Sequence, residues 1–140
     1  MRSLLCALLT VSVIWTPTGA LQPAPTAVSA WVAAPAAGAT SASAYVEVSN
    51  PTMYEIYVTG ATADVAAKVE LRAGAAGGAE PAMVPEFGVP AYGSTAAAAT
   101  APHLRLVGLT KGLAPGDTVQ LTLTTADGVT LKIAAPVRQP

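Results

Sequence analysis

The sequence predicts an all-β domain, an antiparallel sandwich or barrel, and three observations carry that expectation. Beyond the first two dozen residues the apolar pattern follows a period near two rather than about 3.6. The alternating runs are short and nearly evenly spaced. Gly- and Pro-containing turns, among them Pro115-Gly116-Asp117 and Asp127-Gly128, separate them.

Residues 1–20 carry a signal-peptide pattern. Arg2 supplies the positive start, Leu4 to Trp15 form an apolar run broken only by Thr10 and Ser12, and Thr18-Gly19-Ala20 presents small residues for cleavage. About a dozen apolar residues fall short of the roughly 20 that span a bilayer. Cys6 lies too near the start, and Ser3-Leu4-Leu5 is too poor a box, for lipid attachment. A cleaved leader implies a periplasmic or extracellular protein. Residues 21–27 then read as a flexible Pro- and Ala-rich lead-in, and residues 28–140 as one β domain.

Along that domain, Ala44, Val46 and Val48 alternate with Tyr45, Glu47 and Ser49 until the Asn50-Pro51 turn. Tyr54 to Val58 suits a strand ending near Gly60. Val69 and Leu71 face one way, and Lys68, Glu70 and Arg72 the other. Residues 73–79 read as a Gly-rich loop, and Ser94 to Thr100 as an edge strand despite four consecutive alanines. Leu104 and Leu106 alternate with His103 and Arg105. Val119, Leu121 and Leu123 form the next strand, and Val129, Leu131 and Ile133 the last.

Composition narrows the chemistry. Cleavage of the leader removes the single cysteine and Arg2, which leaves a charge of −2 in place of −1, with no disulfide and no thiolate metal site. So weak a charge argues against nucleic acid, and no apolar run long enough to cross a membrane remains. One histidine, no nucleophile elbow, no paired carboxylates and no phosphate-binding loop argue against an enzyme. His103 is expected on the face opposite Leu104 and Leu106, pointing away from the core beside Arg105. Met83 follows the Gly-rich loop. Met and His are donors that suit Cu(I), though a lone His and a lone Met equally suit a solvated edge and a core.

At these residues the sequence resembles the periplasmic copper chaperones called PCu(A)C. The resemblance runs through an Ala30-Trp31-Val32 strand leading to Ser43-Ala44-Tyr45-Val46, then Asn50-Pro51 and Val69-Glu70-Leu71-Arg72. It continues through His103-Leu104-Arg105-Leu106-Val107-Gly108-Leu109, Pro115 to Leu123 and Pro136-Val137-Arg138. It implies a cupredoxin-like barrel carrying Cu(I) to a cytochrome oxidase copper centre or a copper-assembly protein. The family pattern is a His, a Met eleven positions on, and a His-x-Met further along. Laid on this chain it falls on Arg72, Met83, His103 and Arg105, so two donors are kept and two are arginine. Met53 lies in a turn that supplies no ligand in the family. Guanidinium has no lone pair to give. At about 5 Å and an effective dielectric near 20, each would oppose a bound monovalent cation by roughly 3 kcal/mol. Two functions remain open. One is a copper chaperone with a weak Met83/His103 site, and the other is a metal-free module using Arg72, Arg105 and His103 to contact an anion or a protein.

Overall fold

Alternation along each strand, with one apolar face, forces the chain to bury that face against a second layer. The computed structural model describes residues 12, 14, 23–74, 82–98 and 100–139. The expected leader and most of the Gly-rich loop at 73–79 therefore lie outside the described residues. Among the described residues nine strands are found: β1 (Thr26–Ala33), β2 (Ser41–Asn50), β3 (Ile56–Ala63), β4 (Ala66–Arg72), β5 (Phe87–Val89), β6 (Gly93–Ser94), β7 (His103–Leu109), β8 (Thr118–Thr125) and β9 (Thr130–Arg138). They pair in the order β4-β7-β2-β1-β9-β8-β3-β5, with β6 added to the end of β2. All pairings are antiparallel except β1 with β9, where Val32 lies opposite Val137. The β3–β4 hairpin brings the two ends of this path together, giving a nearly closed, cupredoxin-like barrel. Among the described residues no helix is long and apolar enough to cross a membrane.

The inward set is the one the alternation marks, except that Val129, expected inward with Leu131, precedes β9 in the turn and is exposed. Val46 and Val48 from β2, Leu104 and Leu106 from β7, and Val119, Leu121 and Leu123 from β8 are all buried. Ala42 and Ala44 keep the β2 inner surface small opposite the β7 leucines, so large and small side chains interleave. Turn chemistry fixes the register. Gly116 and Gly128 take positive φ in the expected turns, and the backbone N–H of Val129 donates to Thr125 Oγ1 across the Asp127-Gly128 turn.

Several local expectations shift. β1 begins at Thr26, already paired with Ser49, and β3 runs on past Gly60 to Ala63 through a bulge between Val58 and Gly60. The edge strand expected over Ser94 to Thr100 reduces to the two residues of β6. Beyond them the chain becomes a strap, tied by Thr95 N–H to Val48 O at 3.0 Å and by Val48 N–H to Thr95 Oγ1 at 3.1 Å. Gly74 passes so close under this strap that a Cβ on it would sit 2.1 Å from Thr100 O.

Asn50 ends β2 as a buried hub rather than as a turn residue alone. Its Nδ2 faces the carbonyls of Tyr54 at 2.7 Å and of Val89 and Pro90 at 3.1 Å. Its Oδ1 accepts from Thr52 N–H at 3.0 Å and from the Thr52 hydroxyl at 2.7 Å. Both ends of the amide are thereby satisfied inside the protein. The hub joins the 51–55 loop to the segment after β5, where Tyr92 sits at φ 54°. That left-handed conformation costs a non-glycine residue on the order of 1 kcal/mol, and it holds the Tyr92 ring outward.

Replacing Asn50 by Asp keeps the shape but removes the donors. Urea unfolding is expected to show a loss of about 2–4 kcal/mol for Asn50→Asp and Asn50→Ala alike, since buried carbonyls lose their partners in both. A loss for Asn50→Asp well below that of Asn50→Ala would show that the donors matter little.

Candidate functional site

Strand pairing places the sequence-derived positions together. Arg72 on β4 lies opposite His103 on β7, and on its other side Arg72 bridges to Met83. The backbone bonds Ala73 N–H to Ala82 O and Val84 N–H to Leu71 O flank that bridge, each at 2.9 Å. They mark a pair without mutual hydrogen bonds, in which side chains stand close. The rung continues the other way. Tyr45, next to the Ala44–Leu104 pair, packs its ring 5.2 Å from that of His103, and Trp31, opposite Tyr45, packs 4.6 Å from Tyr45. One line thus reads Trp31, Tyr45, His103, Arg72, Met83 across the outer face. The next rung holds Ser43, Arg105 and Glu70.

His103 does lie on the face opposite Leu104 and Leu106, but it is not solvated: it is only 5% exposed. An outward side chain becomes buried here because Tyr45 covers it along the rung and the strap covers it from above. Trp31 Nε1–H donates to Ala97 O at 3.1 Å, and His103 Nδ1 lies 3.0 Å from Ala101 O. A carbonyl only accepts, so the proton of a neutral ring sits on Nδ1 and the Nε2 lone pair is left for a ligand. Met83, by contrast, is 65% exposed. It lines a groove of about 430 Å³ with Thr59, Lys68 and Glu70.

The charges organise around Glu70. Its two oxygens take Lys68 Nζ at 3.1 Å and Arg72 Nη2 in a tighter contact. The hydrogen bond from Lys68, then that from Arg72, hold its carboxyl below the ordinary 4.5. Arg105 Nη2 reaches Ser41 Oγ at 3.4 Å, beside a cleft of about 250 Å³ lined by Ser41, Ser43 and Pro35. Among the described residues no group of three or more His, Cys, Asp or Glu could hold a metal. The soft-donor set at this corner is therefore Met83 and His103, with Arg72 between them. Strands are spaced about 4.8 Å apart, so those two backbones stand roughly 10 Å from each other. A shared ion would require both side chains to lean over Arg72.

Trp31 and Tyr45 were legible only as strand residues. Their membership of this rung depends on a register between distant segments that the sequence does not display. Because Glu70 titrates below its ordinary value in the folded chain, its ion pairs support the fold fully above that value and lose their effect as pH falls through the folded pKa. The melting-temperature gap between the native chain and Glu70→Gln is expected to be constant above about pH 5.5 and to close in acid below it. A gap that persists unchanged into strong acid would assign the effect to packing rather than charge.

Comparisons with known proteins follow the same outline. Residues 26–137 match the family model described as "Putative lipoprotein LpqE-like". The solution structure of the Cu(I) form of DR1885 from Deinococcus radiodurans is 33% identical, with a TM-score of 0.68 over 85% of this chain and 82% of that one. The copper-bound PCuAC domain of PmoF2 shares the fold at 22% identity and a TM-score of 0.68, covering 83% of this chain and 92% of that one. The apo PCuAC domain of PmoF1 gives 20% identity and a TM-score of 0.70, covering 83% and 94%. No curated protein matches the chain. With a family model covering most of its length and a barrel shared with these copper-binding domains, the chain belongs to the LpqE-like family of PCu(A)C type.

Proposed function

We propose that the chain is an exported copper-chaperone-type carrier, periplasmic or extracellular after loss of residues 1–20, that takes up Cu(I) weakly through Met83 and His103. Its delivery target on this reading is a cytochrome oxidase copper centre or a copper-assembly protein. One observation carries the reading: Met83 and His103 share a rung, and Glu70 draws the intervening guanidinium along β4, away from the line between them. The His103 tautomer supports it, because Nδ1 is engaged and Nε2 keeps its lone pair. Cu(I) tolerates a small set of soft donors, so two suffice for transient loading. The arginines weaken the hold by repelling the ion. The protein contributes binding and release rather than a chemical step, and it is not an enzyme.

A second reading rests on Arg105. Its guanidinium beside Ser41, at the edge of a small cleft, offers an anion or a protein partner a charged and hydroxylated contact that involves no metal. It predicts binding that weakens with salt and with Arg72→Ala or Arg105→Ala.

Anaerobic titration of Cu(I) against a chromogenic chelator separates the two. Uptake of about one Cu(I) by the native chain, lost in Met83→Ala/His103→Ala, is expected from two-donor binding. Converting Arg72→His with Arg105→Met restores four donors and removes two cations. Tightening by more than about a hundredfold is expected, since each removed cation alone is worth tenfold per 1.4 kcal/mol. No uptake by the native chain together with tight uptake by the converted one would eliminate copper carriage while leaving the corner competent by shape.

A further inference from the structure

The strap between β6 and β7, residues 95–98 and 100–102, is mostly alanine, so its own side chains give it little hold on the barrel. Hydrogen bonds along its length hold it instead. Thr95 is tied to Val48 of β2 at its start. Trp31 Nε1–H on β1 then donates to Ala97 O at 3.1 Å, and Ala101 N–H closes a turn on Ala98 O at 3.1 Å. At its end Ala101 O lies 3.0 Å from His103 Nδ1. Gly74 packs against the strap so closely that a Cβ there would stand 2.1 Å from Thr100 O. Gly74 in turn stands two residues beyond Arg72, which bridges to Met83.

From this arrangement we infer that the strap is a positioning element that holds His103 as its Nδ1–H tautomer, and that Trp31 is the positioning residue that acts through it. The inference rests on the reading of His103 as a donor and says what keeps that donor ready. In water a neutral imidazole favours the Nε2–H form, which has no lone pair on Nε2. A carbonyl only accepts, so Ala101 O reverses the preference and keeps the proton off Nε2. His103 is only 5% exposed, so little water reaches the ring to take the carbonyl's place. The carbonyl needs a fixed backbone. Pro102 biases Ala101 away from helical angles. The Ala98–Ala101 turn links that residue back towards Ala97, which the Trp31 N–H pins. Trp31 itself is packed by the Tyr45 ring at 4.6 Å and by the Arg138 guanidinium at 5.0 Å.

Nitrogen-15 NMR of the tag-free, metal-free chain at about pH 8, above the ordinary imidazole range, reads the tautomer directly. One histidine gives one pair of ring-nitrogen signals. Cu(I) competition against a chelator is run beside it. The native ring is expected as Nδ1–H. Trp31→Phe keeps an aromatic ring and deletes the donor, whereas Gly74→Ala leaves Trp31 alone and pushes the strap at Thr100 O. Both should raise the Nε2–H share and weaken Cu(I) uptake about ten- to a hundredfold. Val119→Ala opens a cavity on β8, which pairs with neither β2 nor β7. It should lower the melting temperature and leave the tautomer alone. A native ring in the Nε2–H form, or a tautomer unmoved in both strap variants, overturns the inference even where the native chain takes up Cu(I). A tautomer that moves as far in Val119→Ala overturns it too. A tautomer that responds in the strap variants of a chain taking up no Cu(I) upholds the strap's hold on His103 and removes the copper reading instead.

Discussion

Everything at the candidate site rests on one register. Leu104 stands opposite Ala44 on one side and Leu71 on the other, so the inward faces of β2, β7 and β4 coincide and the barrel closes over them. The pleat then sets the outward residues with no further freedom: Tyr45, His103 and Arg72 fall on one rung, and Ser43, Arg105 and Glu70 on the next. A slip of one residue in β7 would turn His103 and Arg105 inward and expel two leucines, a change the core would not tolerate. The site is thus a by-product of core packing.

What arginine does at these two positions is an electrostatic matter. At each of them the resemblance implies a neutral donor, whereas here a fixed cation stands beside Met83 and His103. Glu70 moderates this by holding Arg72 and Lys68 together, which lowers the local positive field and draws the guanidinium along the strand. The ion pairs are partly solvated, so their net contribution to stability is small. Their larger effect is to decide which charges face Met83 and His103. The electrostatic field at this corner is therefore set by the balance between one carboxylate and its cationic neighbours.

The fold was legible because period-two alternation and turn residues are local signals, and they marked Val46, Leu104, Leu121 and their inward companions correctly. The candidate site was legible in part. Alternation put His103, Arg105, Glu70 and Arg72 on the outer face, and the family resemblance aligned Met83 with them. Burial of His103 was not legible, since it comes from Tyr45 on a strand far away in sequence and from Ala101 O in a strap with no regular structure. The strap itself misled the reading: Thr95 through Thr100 carry strand neighbours and helix-favouring alanines, yet their bonds run to Val48 and Trp31. Asn50 likewise showed its turn but not its role as a hub, because its partners at Val89 and Pro90 lie about forty residues on.

The parallel pairing of β1 with β9 sets a condition on how the chain is made. Val32 and Ala33 meet Val137 and Arg138 at the end of the domain, so the seam between the two halves of the barrel closes only when the last residues are present. Contacts of such long sequence separation form late and slowly. A polypeptide threaded through a membrane from its first residue onward would meet the same condition. The barrel would stay open during passage and lock only on release, when its final strand arrives to complete it.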